Sequence, residues 1–242
     1  MNIWWPYARL AAALLGLAAI AAQLTRTIQN AIEADTAWGG HLPTVSANFL
    51  SFFTIESNLL AAIVLAIGAI LAWTSGRRAE REPGWFAVLL VCVSTYMIVT
   101  GIVYNLLLRN VELPQGVTVV WANEVLHVVI PLFLLADVLF APSRRALPWS
   151  TVLIAAIYPI VWAVYTLIRA DMIIAPATGE SWWYPYPFLD PHNVPGGYLG
   201  VTGYILGIAA AIIGVAAFVV WVGRRRGIRS AVPDIQAGRD TV

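Results

Sequence analysis

Six stretches of this 242-residue chain stay apolar for about 20 residues each, and this constrains the fold more than any other feature. They cover residues 10–28, 49–73, 85–108, 119–140, 149–168 and 200–222. A helix rises 1.5 Å per residue, so about 20 apolar residues cross the ~30 Å hydrocarbon core of a bilayer. In lipid the backbone must satisfy its own hydrogen bonds, which leaves helices or a closed barrel. A barrel would show short segments of alternating polarity, and the sequence has none. The expectation is an all-α polytopic membrane protein, a six-transmembrane-helix bundle over residues 1–223. Residues 224–242 should form an Arg-rich solvated tail. Only 11% of the residues are charged, against about 25% in a soluble domain. Ala19-Ile20-Ala21 resembles a signal-peptide cleavage site. The apolar run continues past it, however, and Trp4-Trp5 look like interface anchors, so residues 10–28 are read as a span.

The connections set the orientation. All 14 basic residues are Arg. Eleven of them (Arg9, Arg77, Arg78, Arg81, Arg144, Arg145, Arg224, Arg225, Arg226, Arg229 and Arg239) fall on one side of such a bundle. Arg26, Arg109 and Arg169 fall on the other, with Glu33, Asp35, Glu112, Asp171, Glu180 and Asp190. Cytoplasmic loops carry the excess of basic residues, so both termini should be cytoplasmic in a multi-pass cell-membrane protein. The net charge of +1 leaves no basic stripe for nucleic acid. With a single cysteine, Cys92, a thiolate metal site is excluded. The three histidines, His41, His127 and His192, contain no His-x-x-x-His pair, and only His127 lies within a span. Neither a two-histidine haem nor a metal centre is expected, and no cofactor is implied.

Polar groups within spans are costly and point at the bundle interior. Thr54, Ser57 and Asn58 are spaced i, i+3, i+4 near the start of span two and share one face. Asn123, Glu124 and His127 do the same in span four, with Pro131 one turn deeper to loosen the backbone around His127. Both spans enter from the outside, so the two clusters should share a depth in the outer half of the membrane. Tyr96, Thr100 and Tyr104 form a stripe on span three, and Tyr158, Trp162, Tyr165 and Arg169 one on span five. Packing and hydroxyl bonds to neighbours account for most such stripes. Glu56 lies about 200° from Thr54 and faces a different neighbour. Asp137, near Arg144 and Arg145, reads as an ion-pair partner. The connection after span five, with Trp182-Trp183-Tyr184-Pro185-Tyr186-Pro187-Phe188, is either an interfacial aromatic belt or a lid on the bundle. Gly200, Gly203, Gly207 and Gly214 should permit close helix contact.

No Gly-x-Ser-x-Gly elbow, phosphate loop or dinucleotide fingerprint occurs. What remains is a hydroxyl with an imidazole: Thr54 as nucleophile and His127 as general base. Glu124 or Asp190 could orient the ring, and Asn58 or Asn123 could donate to an oxyanion. Arg26, Arg109 and Arg169 either snorkel or hold a substrate carboxylate.

Three segments carry a resemblance. Phe53-Thr54-Ile55-Glu56-Ser57-Asn58, Asn123-Glu124-Val125-Leu126-His127 followed by Pro131-Leu132, and Tyr184-Pro185-Tyr186-Pro187-Phe188-Leu189-Asp190 appear in this order. Together they resemble the androgen-induced-gene family of six-span membrane proteins and the bacterial Pr-six-Pr type grouped with it. The resemblance implies a threonine hydrolase of fatty acid esters of hydroxy fatty acids, with Thr54 and His127 as its catalytic pair and an acid at Asp190. Glu56-Ser57-Asn58 is more polar than the animal sequence, which bears on the lipid substrate. The leading expectation is an integral-membrane lipid-ester hydrolase whose partners are membrane lipid and its lipid-ester substrate. Two rivals stand beside it. One is a small-molecule or proton-coupled transporter using Glu56, Glu124, His127 and Asp137. The other is a non-enzymatic membrane scaffold with the aromatic loop as its contact surface.

Overall fold

A computed structural model describes residues 4–74, 81–111 and 118–229. Among these residues there is no strand, and six helices are long and apolar enough to cross a membrane. Span one is α1 (Trp5–Ile32), and a short α2 (Leu42–Leu50) leads into span two, α3 (Phe53–Trp73). Span three is α4 (Gly84–Val103) with a π-helical turn at Tyr104–Leu108. Span four is built from α5 (Val120–Glu124), a π turn at Val125–Val129 and α6 (Ile130–Phe140). Spans five and six are α7 (Thr151–Ala170) and α8 (Tyr198–Arg229).

Span three is the hub, with 72% of its apolar window buried, against 22% for span five and 28% for spans one and six. Its Leu90 and Met97, with Leu65 of span two and Leu126 and Leu134 of span four, are almost wholly buried and join these spans into the main core. Leu14, Ile63, Leu153 and Ile160 stay on the outside, where lipid rather than water would meet them.

At one end of the bundle Asp137, fully buried, accepts hydrogen bonds from Trp5 Nε1 (2.7 Å), Arg9 Nε (2.8 Å) and Arg144 Nη2 (2.6 Å). Arg9 also pairs with Glu82 at 3.0 Å. The start of span one, the connection before span three and the end of span four are thereby clamped together. Asp137 is an ion-pair partner as expected, but Arg145 instead donates to the Glu82 carbonyl (2.8 Å). Because Arg226 donates to the carbonyls of Val138 and Ala141, the end of span six lies here too. We call this the arginine end. Glu33, Asp35, Asp171, Glu180 and Asp190 lie at the other, acidic end; Arg77, Arg78, Glu112 and Arg239 lie outside the described residues.

Three sequence expectations change. Residues 49–73 do not form one helix, because the chain breaks at Ser51 and is extended at Phe52 (φ −70°, ψ 125°). The Ser51 carbonyl, which a continuous helix would offer to Ile55, accepts instead from Trp162 Nε1 of span five at 3.1 Å. Ile55 turns to Phe52 O. Span six continues past Val222 through the first arginines of the expected tail, since Arg224 finds a carbonyl in the connection between spans four and five and Arg226 finds carbonyls at the end of span four and just after it. The remaining tail, 230–242, lies outside the described residues. Finally, Gly203, Gly207 and Gly214 meet no neighbouring helix: a Cβ there would have no atom within 4 Å. A close approach between spans three and four occurs at Gly101, where a Cβ would stand 2.9 Å from Pro131 and 3.3 Å from the His127 carbonyl.

Candidate active site

The break before α3 puts Thr54 in the first turn of a helix, where backbone N–H groups have no intrahelical acceptor. In span four the π turn at Val125–Val129 precedes Pro131, whose missing N–H leaves the His127 carbonyl without its helical donor. The two helices bring Thr54 Oγ1 to 3.2 Å from His127 Nε2. On the far side of the ring, Nδ1 is 2.9 Å from the carbonyl oxygen of Asn123. A carbonyl can only accept, so Nδ1 carries the hydrogen and the bare Nε2 lone pair faces the threonine hydroxyl. This is the tautomer a general base needs. Tyr104, first residue of the π turn in span three, stacks on the imidazole with centroids 4.0 Å apart, and its hydroxyl accepts from Asn123 Nδ2 at 2.5 Å. Ring orientation is thus held from both sides.

The aromatic loop supplies a third group that sequence reasoning missed. Trp183, Tyr184, Tyr186, Phe188 and Leu189 are buried, so the loop is a plug set into the acidic end and not an interfacial belt. The Asp190 carboxylate closes it by accepting from the His192 amide and from the side chains of His192 and Asn193. The plug carries Tyr186 to Thr54: the Thr54 N–H donates to the phenol oxygen at 3.1 Å, and the phenol lies 3.2 Å from Thr54 Oγ1. With the threonine proton directed at His127, the phenol proton points at Thr54 Oγ1. Burial pushes the Tyr186 hydroxyl up to about 12, partly offset by its bonds to Thr54, so it remains a donor at neutral pH. Its signal in the sequence was its place between Pro185 and Pro187 in the quoted segment; nothing in the spacing indicates what it touches.

The remaining candidates fall into place around this pair. Asn58 Nδ2 donates to the carbonyls of Thr54 (2.9 Å) and Leu126 (3.2 Å), and Asn123 Nδ2 is used by Tyr104. Both amides have partners, and the hydroxyl in contact with Thr54 Oγ1 is that of Tyr186. Glu124 does not orient the imidazole: its carboxylate pairs with Arg109 at 3.0 Å and 3.1 Å. Asp190 does not either, being held by its own loop. The orienting acceptor is the Asn123 backbone carbonyl, which one helical turn places at i−4 from His127. Arg169 donates to Asn48 (2.7 Å) and lies over Trp183, while Arg26 is exposed on span one. The span-five stripe is confirmed as a face. Tyr158 bonds Glu56, Trp162 and Tyr165 reach Ser51, and Arg169 reaches Asn48, so one side of α7 holds the break before Thr54. Among the described residues no hydrogen bond links Glu56, Glu124, His127 and Asp137 to one another. None of those residues forms a cluster of three His, Cys, Asp or Glu suited to a metal ion.

One cavity reaches the site and a second lies close to it. One of about 160 Å³ is lined by Thr54 and Tyr186 at one end and otherwise almost wholly by apolar groups of spans three, five and six. The other, about 510 Å³, opens at the acidic end among Glu33, Asp35, Glu180, Asp190, Trp183 and Phe52, with no Arg, Lys or His in its wall. Phe52 packs edge-on against Tyr186 with centroids 5.5 Å apart, so the cavities are one aromatic layer from each other.

No family model matches the chain, and no curated protein or solved structure matches it.

Proposed function

We propose that this protein is an integral-membrane lipid-ester hydrolase, with Thr54 as nucleophile and His127 as general base. The observation that carries the reading is the Nε2 lone pair of His127, its tautomer set by Asn123 O, 3.2 Å from a threonine hydroxyl that lines an apolar cavity. A buried hydroxyl and imidazole could serve packing alone, but packing requires no open apolar space beside them.

The chemistry runs in two halves. Thr54 Oγ1 attacks the ester carbonyl carbon as its proton passes to Nε2, forming a tetrahedral oxyanion. The intermediate collapses, and His127 returns that proton to the departing alkoxide, which leaves as an alcohol and a threonyl ester. Water then attacks the threonyl ester with His127 again taking the proton, and the acid leaves as Thr54 recovers its hydrogen. The Tyr186 hydroxyl is positioned to donate to oxygen charge that develops beside Thr54.

The resemblance to the androgen-induced-gene family and the Pr-six-Pr type supports the same pair and suggests fatty acid esters of hydroxy fatty acids. Two features qualify that substrate. Arg109 and Arg169 already have partners, and four carboxylates line the cavity at the acidic end. These carboxylates repel anions, so esters with a neutral polar end should be favoured over those with a free carboxylate. With the arginine end in the cytoplasm, the site serves the outer leaflet.

The test is turnover of a panel of long-chain esters by purified protein in lipid nanodiscs. Thr54→Val should abolish hydrolysis while the bundle survives, Thr54→Ser should keep part of it, and His127→Ala should lower turnover at least ~10²-fold. Wild-type turnover by Thr54→Val would end the assignment.

A further inference from the structure

We infer that the acyl chain reaches Thr54 sideways from the lipid, between spans five and six, so that the substrate is a lipid resident in the leaflet at the acidic end and not an ester arriving from water. The inference rests on the hydrolase reading and adds to it the route and the physical state of the substrate.

The apolar cavity has one buried end and one open end. Thr54, Thr100 and Tyr186 are 7%, 6% and 6% exposed, whereas Ile160 of span five and Ile213 of span six, which line the same cavity, are 61% and 51% exposed. Between them α7 contributes the small residues Ala156, Pro159 and Ala163, spaced i, i+3 and i+7, beside Ile160 and Trp162, and α8 contributes Ala209 among Ile205, Ile208, Ile212 and Ile213. These small residues on facing helices leave room for a chain where larger ones would close the seam. Spans five and six are also among the least buried helices of the bundle.

Depth agrees with this route. Thr54 is in the first turn of α3. Ile160 lies ten residues before Ala170, the end of α7 on that side, and Ile213 fifteen residues after Tyr198, the start of α8. At 1.5 Å per residue these positions are ~15 Å and ~22 Å from their helix ends. The cavity therefore descends from the level of a lipid's ester linkage towards the middle of the ~30 Å hydrocarbon core, as an acyl chain does. A chain lying in it would keep its methyl end in the bilayer, and the cavity would set no upper limit on its length.

A second groove, between spans three and six over Gly203 and Gly207, offers about 460 Å³, but it does not include Thr54. Val103 and Ile208, which line both spaces, stand between it and the site.

The experiment uses the wild-type protein in nanodiscs and a hexadecyl fluorophosphonate bearing a diazirine at the chain terminus. Thr54 displaces fluoride from phosphorus, which anchors the probe. Irradiation then marks what the chain touches, and peptide mass spectrometry locates the mark. Crosslinks within residues 156–163 of α7 and 205–213 of α8 are expected. A Thr54 adduct crosslinked to span one or four, or to the walls of the acidic cavity, overturns the route and leaves the hydrolase reading standing. No adduct at Thr54 overturns the hydrolase reading and the route with it. As a second measurement, Ala209→Trp should lower the ratio of long-chain to short-chain kcat/KM at least about tenfold, the effect of leaving two methylenes in water. An unchanged ratio in the folded variant overturns the route.

Discussion

Tyr186→Phe separates a catalytic plug from a passive one. The substitution keeps the ring and its contacts with Phe52 and Phe188 and removes only the hydroxyl. The Thr54 amide, at the N-terminus of α3 and paired with that hydroxyl at 3.1 Å, is then left without an acceptor in a buried setting. An unsatisfied buried donor costs about 1–3 kcal/mol, so the melting temperature should fall. Thr54 Oγ1 also loses the neighbour that holds it towards His127 Nε2. One neutral hydrogen bond is worth about 1 kcal/mol, several-fold in rate, and loss of a donor to the oxyanion would bring the fall to ~10²-fold or more. We expect kcat for a long-chain ester to drop at least about tenfold while KM changes little, measured as initial rates in nanodiscs beside thermal unfolding. The pH dependence supplies an internal control. The Tyr186 hydroxyl ordinarily titrates near 10 and is pushed up to about 12 in the folded protein. Between those values the unfolded chain has released the proton and the folded chain still holds it, so wild-type stability falls as pH rises from 10 to 12. Two pH units correspond to about 3 kcal/mol. Phenylalanine has no such proton, so the deficit of the variant should shrink over this range and be gone by pH 12. A Tyr186→Phe protein with wild-type kcat and wild-type melting temperature would refute the reasoning.

Asp137→Asn should be the most damaging change at the arginine end. It leaves Arg9 and Arg144 buried without their shared carboxylate, a loss of about 3–5 kcal/mol read as a large drop in melting temperature; an unchanged melt would show the clamp to be dispensable. Arg109→Gln breaks an ion pair whose partners are both 40% exposed, so stability should move by less than ~1 kcal/mol. If Arg109 nonetheless recognises a carboxylate, KM rises for acidic esters alone, and equal kinetics on acidic and neutral esters would exclude that role. For orientation, Ser181→Cys in a Cys92→Ala background should react with an impermeant maleimide from outside the cell, and Ser150→Cys only after the membrane is opened. Labelling of Ser150→Cys in intact cells would reverse the bundle and move the site to the inner leaflet.

Helical periodicity alone makes the two polar faces legible. Thr54, Ser57 and Asn58 are buried together, and Tyr158, Trp162, Tyr165 and Arg169 of span five all turn to the segment around the break, because i, i+3 and i+4 positions share a face in any helix. The six spans were legible for the same local reason: a run of apolar residues carries its own length, and length against bilayer thickness decides what crosses. The position of Asp137 beside arginines was likewise readable from charge in a costly place. Other features depended on contacts between segments far apart in the chain. At the helix break the Ser51 carbonyl is taken by Trp162, 111 residues away. Glu124 turns to Arg109 and not to His127, and Tyr186 arrives at Thr54 from a loop 132 residues on. A sequence states which side chains lie on one face of one helix. Which faces meet, and which donor reaches an acceptor first, is decided by the packing of all six helices at once, since each buried polar group takes the nearest partner the assembled bundle leaves it.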